Sequence, residues 1–259
     1  MDLFSLEGKV ALVTGSSRGI GRAIAEAYVD AGARVVISSR NQTACDEVAD
    51  AINARSGGNR ALAVAASISS KFALEEMISA VRSHWGAIDI LVCNAASNPF
   101  YGPMAAISDE QFRKVFENNV LANHWLASMV SPDMARAGGG AIVIVSSIGG
   151  FVGSDTIGAY NISKAADMQL VRNLAVELGG QGIRINAIAP GVIRTDFAKA
   201  LYENPETEAA LRRATPLGRI GEPADIAGAA VFLASRASGH VTGQTIIIDG
   251  GVLVRGGGL

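Results

Sequence analysis

The segment from Lys9 to Ser38 constrains the fold more than any other stretch of this sequence. A short, mainly apolar run ends at Val13 and is followed by the turn Thr14-Gly15-Ser16-Ser17-Arg18-Gly19-Ile20-Gly21, a helical stretch to Ala31 and a second apolar run, Arg34 to Ser38. Because parallel strands need a crossover connection, two such runs joined by a helix indicate a parallel pair. The segment therefore predicts the first β-α-β unit of a doubly wound sheet.

The pattern of strand followed by helix continues to the end of the chain. Hydrophobic residues make up 49% of the 259 residues and charged residues 18%, which suits a large buried core. With no linker or repeat in view, we predict one α/β domain over 1–259, a Rossmann-type doubly wound fold whose seven-stranded parallel sheet carries helices on both faces. The five further strands are expected at Ala61–Ala65, Ile88–Cys93, Ile142–Val145, Ile183–Ile188 and Thr245–Ile248.

The glycine turn after the first strand also predicts a binding site. Glycines let the backbone turn sharply and approach a pyrophosphate, and the following helix directs its N-terminus at that anion. The spacing here is G-x-x-x-G-x-G, and the turn has the required context because it opens a helix directly after a strand. The alternative is a glycine turn with a structural role alone. We expect a dinucleotide cofactor.

The end of the second strand bears on which dinucleotide is bound. The sequence Ser38-Ser39-Arg40-Asn41 lacks the Asp or Glu that would bind the adenosine ribose hydroxyls of NAD. Arg40 is suited to a 2′-phosphate through its forked donors, and Arg18 in the glycine turn offers a second guanidinium. The pattern favours NADP over NAD. The alternative is that Arg40 is a solvated loop residue and the specificity is relaxed.

A second candidate site lies between Ser146 and Lys164. An apolar run leads into Ser146-Ser147, and Tyr160 and Lys164 follow four residues apart at the start of a helix over 159–178. This spacing puts both side chains on one helical face, where an ammonium group favours the phenolate. We expect the pKa of Tyr160 to fall from its usual value of about 10, so that the phenol exchanges a proton with an alcohol or carbonyl oxygen. The pair alone is weak evidence, because such pairs are common on solvated helix faces.

Several expectations concern the surroundings of these motifs. Ser69 is a candidate helix cap, and the loop at 98–103 carries two aromatic residues that line a pocket or cover the core. A helix from Ser108 to about Pro132 contains Asn119, a poor residue for a helix interior that predicts a local distortion. The polar segment 195–215, broken at Asn204-Pro205, predicts a mobile substrate-binding lid.

Composition excludes several classes of function. The net charge is −2 and no basic run is present, so a nucleic-acid interface has no electrostatic basis. No apolar run approaches the ~20 residues that span a bilayer. Cys45 and Cys93 are too few for a disulfide framework or a zinc site, and no metal is expected. We expect no signal peptide at the N-terminus, hence a reducing cytoplasm.

Taken together, the motifs resemble the short-chain dehydrogenase/reductase family over nearly the whole chain. The resemblance rests on the glycine turn, Asn94-Ala95-Ala96, Asn119, Ser147, Tyr160-x-x-x-Lys164 and Pro190-Gly191, in the order and spacing of that family. It implies a catalytic tetrad of Asn119, Ser147, Tyr160 and Lys164. Tyr160 would be the general acid/base and Ser147 would orient the substrate oxygen. Lys164 would bind the nicotinamide ribose and lower the tyrosine pKa, and Asn119 would hold a water in a proton relay.

Within the family, the sequence resembles the NADP-dependent carbonyl reductase branch. Members of this family are commonly homotetramers, and the branch includes proteins with a peroxisomal C-terminal tripeptide that Gly257-Gly258-Leu259 does not match, so a cytoplasmic location is expected. Ser67 stands where many members have an Asp that holds the adenine amino group. The resemblance therefore implies a modest weakening of the contact with adenine. The predicted cofactor-binding residues are Gly15, Ser17, Arg18, Gly19, Ile20, Gly21, Ser39, Arg40, Ser67, Ile68, Asn94, Ala95, Ala96, Tyr160, Lys164, Pro190, Gly191, Ile193 and Thr195.

Three functions are weighed on this basis. The first is a carbonyl reductase that transfers hydride between NADP and a ketone or secondary alcohol. The second is a 3-oxoacyl-[acyl-carrier-protein] reductase, which basic residues at the pocket mouth would favour because the carrier is acidic. The third is a catalytically idle NADP-binding sensor, which would be expected to have a damaged tetrad. The candidate basic residues are Arg194, Lys199, Arg212 and Arg213.

Overall fold

The computed structural model describes residues 3–255, and within them seven parallel strands form one sheet in the order β3-β2-β1-β4-β5-β6-β7. The predicted fold class is confirmed. The chain reverses direction along the sheet after β3, so β1 and β4 are neighbours at the switch point where doubly wound sheets bind ligands. The strands are β1 Val10–Thr14, β2 Arg34–Ser38, β3 Ala61–Ala63, β4 Ile90–Cys93, β5 Gly140–Val145, β6 Ile183–Pro190 and β7 Thr245–Ile248.

Helices cover both faces of the sheet, which explains why the central strands are almost uniformly apolar. One core cluster contains Ile24 and Ile226, and the other contains Leu126 and Val171. The helices are α1 Gly19–Asp30, α2 Gln42–Ser56, α3 Lys71–Trp85, α4 Asp109–Phe116, α5 Ala122–Arg136, α6 Gly158–Leu178, α7 Lys199–Tyr202, α8 Pro205–Ala214 and α9 Pro223–Ala234.

The strand register brings the chemically important segments to one edge. Thr14 at the end of β1 is opposite Ser38 on β2, and Cys93 on β4 is opposite Ile144 on β5. On the other side of β5, Val145 is opposite Ile188 of β6. The carboxyl ends of five adjacent strands therefore meet, and the loops that follow them share one crevice.

Local details correct the sequence predictions in three places. Ser70 caps α3 by accepting from the N–H of Ala73, while Ser69 pairs with Ser67, so the prediction of Ser69 as the cap was wrong. The strand bounds also differ: β3 ends at Ala63, two residues early, β4 begins at Ile90, two residues late, and β6 continues to Pro190. The long helix beginning after Ser108 is divided by a π-helix, Glu117–Leu121, and continues beyond Pro132 to Arg136.

The predicted lid is mainly helical. A 3₁₀ turn, Asp196–Ala198, precedes α7, and α8 begins at Pro205 with Asn204 as its cap. The mobility of this segment stays a prediction. None of the helices within residues 3–255 is long and apolar enough to cross a membrane. The tripeptide at 257–259 used in the sequence argument lies outside the described residues.

The packing of α1 against α9 generates a test of the fold. Tyr28 is fully buried, and its hydroxyl donates to the carbonyl oxygen of Ala230 at 3.1 Å. The Tyr28→Phe variant removes this buried hydrogen bond between the two helices, so we expect the free energy of unfolding to fall by about 1 kcal/mol in urea titrations. Tyr101→Phe, at an exposed ring, is the matched control and should leave the midpoint unchanged. Equal midpoints for both variants would contradict the assigned role of this hydrogen bond.

Candidate functional site

A cavity of about 1250 Å³ occupies the crevice at the strand ends. Its volume is sufficient for a dinucleotide together with a small substrate. With two exceptions, Gly21 and Asn119, every predicted cofactor-binding or tetrad residue lines it. These lining residues are Gly15, Ser17, Arg18, Gly19, Ile20, Ser39, Arg40, Ser67, Ile68, Asn94, Ala95, Ala96, Ser147, Tyr160, Lys164, Pro190, Gly191, Ile193 and Thr195.

The glycine turn forms a close-packed backbone cradle in this cavity. Gly15 and Gly19 have φ angles of +66° and +57°, a region that side chains disfavour. Gly21 lies beneath the cradle, where a Cβ atom would collide with the carbonyl oxygen of Gly15. Asn94 fixes the turn from β4 by donating to the carbonyl oxygens of Thr14 and Gly15 at 3.0 and 3.2 Å. The turn is therefore held open toward the cavity.

The N-terminus of α1 faces the same space. Arg18 is its N-cap residue and makes no side-chain cap, so the first N–H groups of the helix remain available to an anion. The lining contains four basic side chains and a single acid, Asp196. Open glycines, free N–H groups and positive charge fit a dinucleotide pyrophosphate. The basic residues are Arg18, Arg40, Lys114 and Lys164.

The two arginines proposed for a 2′-phosphate have different environments. Arg40 is exposed at the end of β2 and lines the cavity. Arg18 also lines the cavity, and its guanidinium forms an exposed ion pair with Asp196 at 3.1 Å. Arg18 would therefore have to share or exchange this partner in order to meet a phosphate.

Tyr160, Lys164 and Ser147 meet at the other end of the cavity. The Lys164 ammonium lies 5.7 Å from the centroid of the Tyr160 ring, and the Ser147 hydroxyl is close enough to lower the pKa of the phenol. The Ser147 hydroxyl also accepts from the N–H of Gly149 at 3.0 Å. Ser146, by contrast, donates its hydroxyl to the carbonyl oxygen of Lys164 at 2.8 Å. Because the Ser146 hydroxyl is already used in this hydrogen bond, Ser147 is the better candidate for orienting the substrate oxygen.

The expected lowering of the Tyr160 pKa was wrong as a net effect. Burial raises the pKa of the phenol, and this outweighs the lowering by the Lys164 charge and the Ser147 hydrogen bond. Asp167 and Tyr101 raise it further. The spacing of Tyr160 and Lys164 correctly predicts that the lysine lowers the pKa of the phenol. It gives no information about how deeply the phenol is buried, and burial is the larger effect. The phenol is consequently neutral at ordinary pH and suited to donating a proton.

Asn119 lies in the π-helix and confirms the predicted distortion. Its side-chain amide donates to the carbonyl oxygen of Ser97 and to the hydroxyl of Ser163, both at 3.0 Å, and its side-chain oxygen accepts from the N–H of Ser97. These bonds join the loop after β4 to α6, one residue before Lys164. The water relay implied by the resemblance stays a prediction.

The structure adds residues that sequence reasoning missed. Asn118, Phe197 and Leu201 line the cavity, and the rings of Phe197 and Tyr160 are 6.1 Å apart between centroids. The asparagine pair at 118–119 was a signal that could have included Asn118. Of the two loop aromatics, Tyr101 lines the cavity. Across residues 3–255, His, Cys, Asp and Glu side chains form no group of three that could hold a metal ion.

The candidate basic residues of the lid are largely paired. Arg194 forms ion pairs with Glu208 and Glu222 at 2.8 and 3.2 Å, and Lys199 pairs with Glu203 at 3.1 Å. The Arg212 side chain donates to the carbonyl oxygen of Gly218. The charges of Arg194 and Lys199 are therefore offset by neighbouring carboxylates, and none of the four candidate basic residues lines the cavity.

Comparisons with known proteins agree with this geometry. A family model described as Enoyl-(Acyl carrier protein) reductase matches residues 15–253. Dehydrogenase/reductase SDR family member 4 of Caenorhabditis elegans is 40% identical over 252 residues, which are 96% of each chain, and the Bos taurus protein of that name is 39% identical over 96% of this chain and 88% of its own length.

A solved structure with a similar fold is a gluconate 5-dehydrogenase from Burkholderia cenocepacia in complex with NADP and tartrate, with a TM-score of 0.92, 32% identity and 98% coverage of both chains. These similarities support the resemblance to the carbonyl reductase branch. They extend over nearly the full lengths of the proteins compared. The chain is therefore a member of the short-chain dehydrogenase/reductase family, an oxidoreductase that acts on CH–OH and carbonyl groups.

Proposed function

We propose that this chain is an NADP-dependent carbonyl reductase that interconverts a ketone and a secondary alcohol. The observation that carries the proposal is the phenol of Tyr160, which has the Ser147 hydroxyl and the Lys164 ammonium beside it in the same cavity as the glycine cradle. A hydrogen-bond donor, a proton donor and a fixed positive charge are what a ketone oxygen needs as it becomes an alkoxide.

The proposed roles follow from these positions. NADPH, when bound, supplies the hydride that the carbonyl carbon receives. Ser147 holds the carbonyl oxygen, and Tyr160 gives it a proton as negative charge develops there. Lys164 stabilises the phenolate that remains and, by the family resemblance, binds the nicotinamide ribose. Asn119 connects the loop after β4 to Ser163 and so supports the position of Lys164.

The preference for NADP is supported by the end of β2. Arg40 provides a forked cation where NAD-binding proteins of this fold have a carboxylate. The gluconate 5-dehydrogenase with a similar fold was solved with NADP, whereas a 7α-hydroxysteroid dehydrogenase that is 39% identical, with a TM-score of 0.92 and 96% coverage of both chains, was solved with NADH. Because relatives of similar fold hold either cofactor, we base the preference on Arg40.

The second candidate is a 3-oxoacyl-[acyl-carrier-protein] reductase. The description of the matching family model, which names an acyl carrier protein, favours a carrier-bound substrate. The ion pairs of Arg194 and Lys199 argue against this candidate, because they neutralise positive charge that would attract an acidic carrier. A sensor without activity receives no support from a tetrad whose residues are all present. We therefore rank the free carbonyl substrate first.

A homotetramer is part of the same proposal. By the family resemblance, such tetramers are built on the two long helices and the C-terminal strand. Of these elements, α6 and β7 expose apolar side chains, including Val176 and Ile247, which are 88% and 44% exposed. Exposed apolar side chains on these elements suit an interface between copies of the chain. The cytoplasmic location stays a prediction.

Replacing Tyr160 with Phe tests the proposed proton donor. The variant keeps the ring and loses the hydroxyl, so we expect kcat/KM for ketone reduction with NADPH to fall about 10²- to 10⁴-fold while NADPH binding, measured by fluorescence titration, changes little. Tyr28→Phe makes the same change far from the cavity and serves as the control for activity. A Tyr160→Phe variant with full turnover would refute the mechanism.

Replacing Arg40 with Leu tests the choice of cofactor. Loss of a forked contact to the 2′-phosphate should raise the KM for NADPH by about tenfold or more and leave the KM for NADH nearly unchanged. Arg55→Leu, on the exposed side of α2 in an ion pair with Asp30, is the matched control. If the KM values for NADPH and NADH rose by the same factor, Arg40 would have no part in selecting between the two cofactors.

The raised pKa of Tyr160 predicts opposite pH profiles for the two directions. Reduction requires the neutral phenol, so its kcat/KM should stay level up to about pH 10 and fall above it, whereas alcohol oxidation requires the phenolate and should rise toward alkaline pH. Initial rates in both directions across this range provide the measurement. An oxidation rate that is level through neutral pH would mean that the phenol is already ionised there, against this prediction.

A further inference from the structure

A carboxylate is buried directly behind the proposed reaction site. Asp167 lies on α6 one turn after Lys164, and its Oδ2 atom is 2.9 Å from the Lys164 Nζ atom. The exposed fraction of the side chain is 0% for Asp167 and 2% for Lys164. Neither the sequence motifs nor the proposed roles of the tetrad account for this acid.

The pair is not explained by stability alone. Removing two charges from water carries a desolvation penalty that their attraction only partly offsets, and an apolar pair of similar volume is often as stable or more so. Position 167 packs in the interior, where an aliphatic residue would serve a merely structural purpose. An acid at this position therefore calls for a role in the site.

The carboxylate is held from two helices. Its second oxygen, Oδ1, accepts from the side-chain amide of Asn123 on α5 at 3.0 Å, and the same amide donates to the carbonyl oxygen of Asn119. Asp167 is thus fixed between α5 and α6 and is joined to the π-helix. It cannot turn away from Lys164 without losing both bonds.

These contacts determine the direction of the Lys164 ammonium. It donates to Asp167 and to the carbonyl oxygen of Val145 at the end of β5, the latter at 3.0 Å. An ammonium has three N–H donors, so two are occupied on the core side and one remains for the cavity, where Tyr160 lies. The arrangement orients the lysine before any ligand binds.

The balance of charge around the lysine agrees with this geometry. Burial lowers the pKa of Lys164, but the attraction of the Asp167 carboxylate, with smaller contributions from Tyr160 and from the hydrogen bond to Asp167, outweighs that effect and the net direction is upward. The Cys93 thiol on β4 also faces the pair, and burial raises its pKa, so it is neutral. The pKa of Asp167 is raised as well, because burial outweighs the lowering by the Lys164 charge and by the hydrogen bonds from Lys164 and Asn123. Tyr101 contributes to raising the pKa of the Tyr160 phenol.

We infer that Asp167 is a positioning residue of this enzyme, a buried counter-charge that keeps Lys164 ionised and directed at the cavity. The inference rests on the proposed function, because it assigns to Lys164 a charge that the reaction uses. Asp167 itself touches neither substrate nor cofactor. Asn123 is the second positioning residue, because it fixes the carboxylate.

The Asp167→Asn variant tests the inference through its pH profile. Without the counter-charge, burial should lower the pKa of Lys164 below its usual value of about 10.5, so that the lysine loses its proton at a lower pH than in the wild type. We expect ketone reduction by the variant to approach the wild-type rate near pH 6 and to be about tenfold or more slower near pH 9, where the wild type stays level.

Thermal unfolding supplies a readout that needs no activity. In the variant the folded state holds the Lys164 proton less tightly than the unfolded state does, so stability should rise with pH between the two pKa values. The difference in Tm between wild type and Asp167→Asn should therefore be largest near pH 6 and narrow toward pH 9. Adding Lys164→Met removes the unpaired charge and should restore Tm at the lower pH.

The control and the second variant keep the test decisive. Asp133→Asn changes a carboxylate that is 11% exposed and pairs with Arg82 away from the cavity, and it should lower Tm without altering the shape of the activity profile.

If Asp167→Asn does not fold, Asn123→Ala is the second variant. It retains the Asp167 carboxylate but removes the amide that holds it, and it should show the same pH trends more weakly. An inactive wild type would defeat the proposed function, while the unfolding experiment would still decide the inference. A level activity profile for the variant, or a Tm difference independent of pH, would overturn it.

Discussion

The charge of Lys164 is the interaction on which the rest of the site depends. An ammonium at 2% exposure is costly to bury, and it persists because the chain surrounds it with groups that favour its ionised form. Those groups come from two elements: the carbonyl oxygen of Val145 from the end of β5, and Asp167 and the Tyr160 phenol from α6. The helix must therefore pack against the end of this strand before the lysine has its full set of contacts.

The parallel sheet provides the rigid part of this arrangement. Because the register aligns the ends of β1, β4, β5 and β6, the glycine turn and the lysine site open into one crevice although they are far apart in sequence. Asn94 joins the two halves, since its amide holds the glycine turn while its neighbours line the cavity. The segments proposed to bind the cofactor are thus built mainly from strand ends and backbone.

The sequence predicted features that depend on neighbouring residues, such as strand bounds and a helix distortion. It did not predict features that depend on how deeply a side chain is buried. The bounds of β2 and β7 follow directly from their β-branched runs, and Asn119 marked the distortion that is seen as a π-helix. The sign of the Tyr160 pKa shift could not be predicted, because desolvation depends on every element that covers the ring. Asp167 escaped notice for the same reason: an acid three residues after a lysine is an ordinary surface pattern until the structure shows both to be buried.

Part of the cavity wall differs in kind. It contains Tyr101, Phe197 and Leu201, which are 57%, 53% and 40% exposed and belong to loops and to the lid, not to the sheet. Apolar side chains that remain exposed at a cavity gain free energy when a ligand covers them, so this wall favours apolar substituents on the carbonyl substrate. In the proposed function, chemistry and substrate choice are therefore carried by separate parts of the chain. The end of β5 and α6 hold Lys164 beside Tyr160, the proposed proton donor, whereas the apolar wall belongs to loops and to the lid.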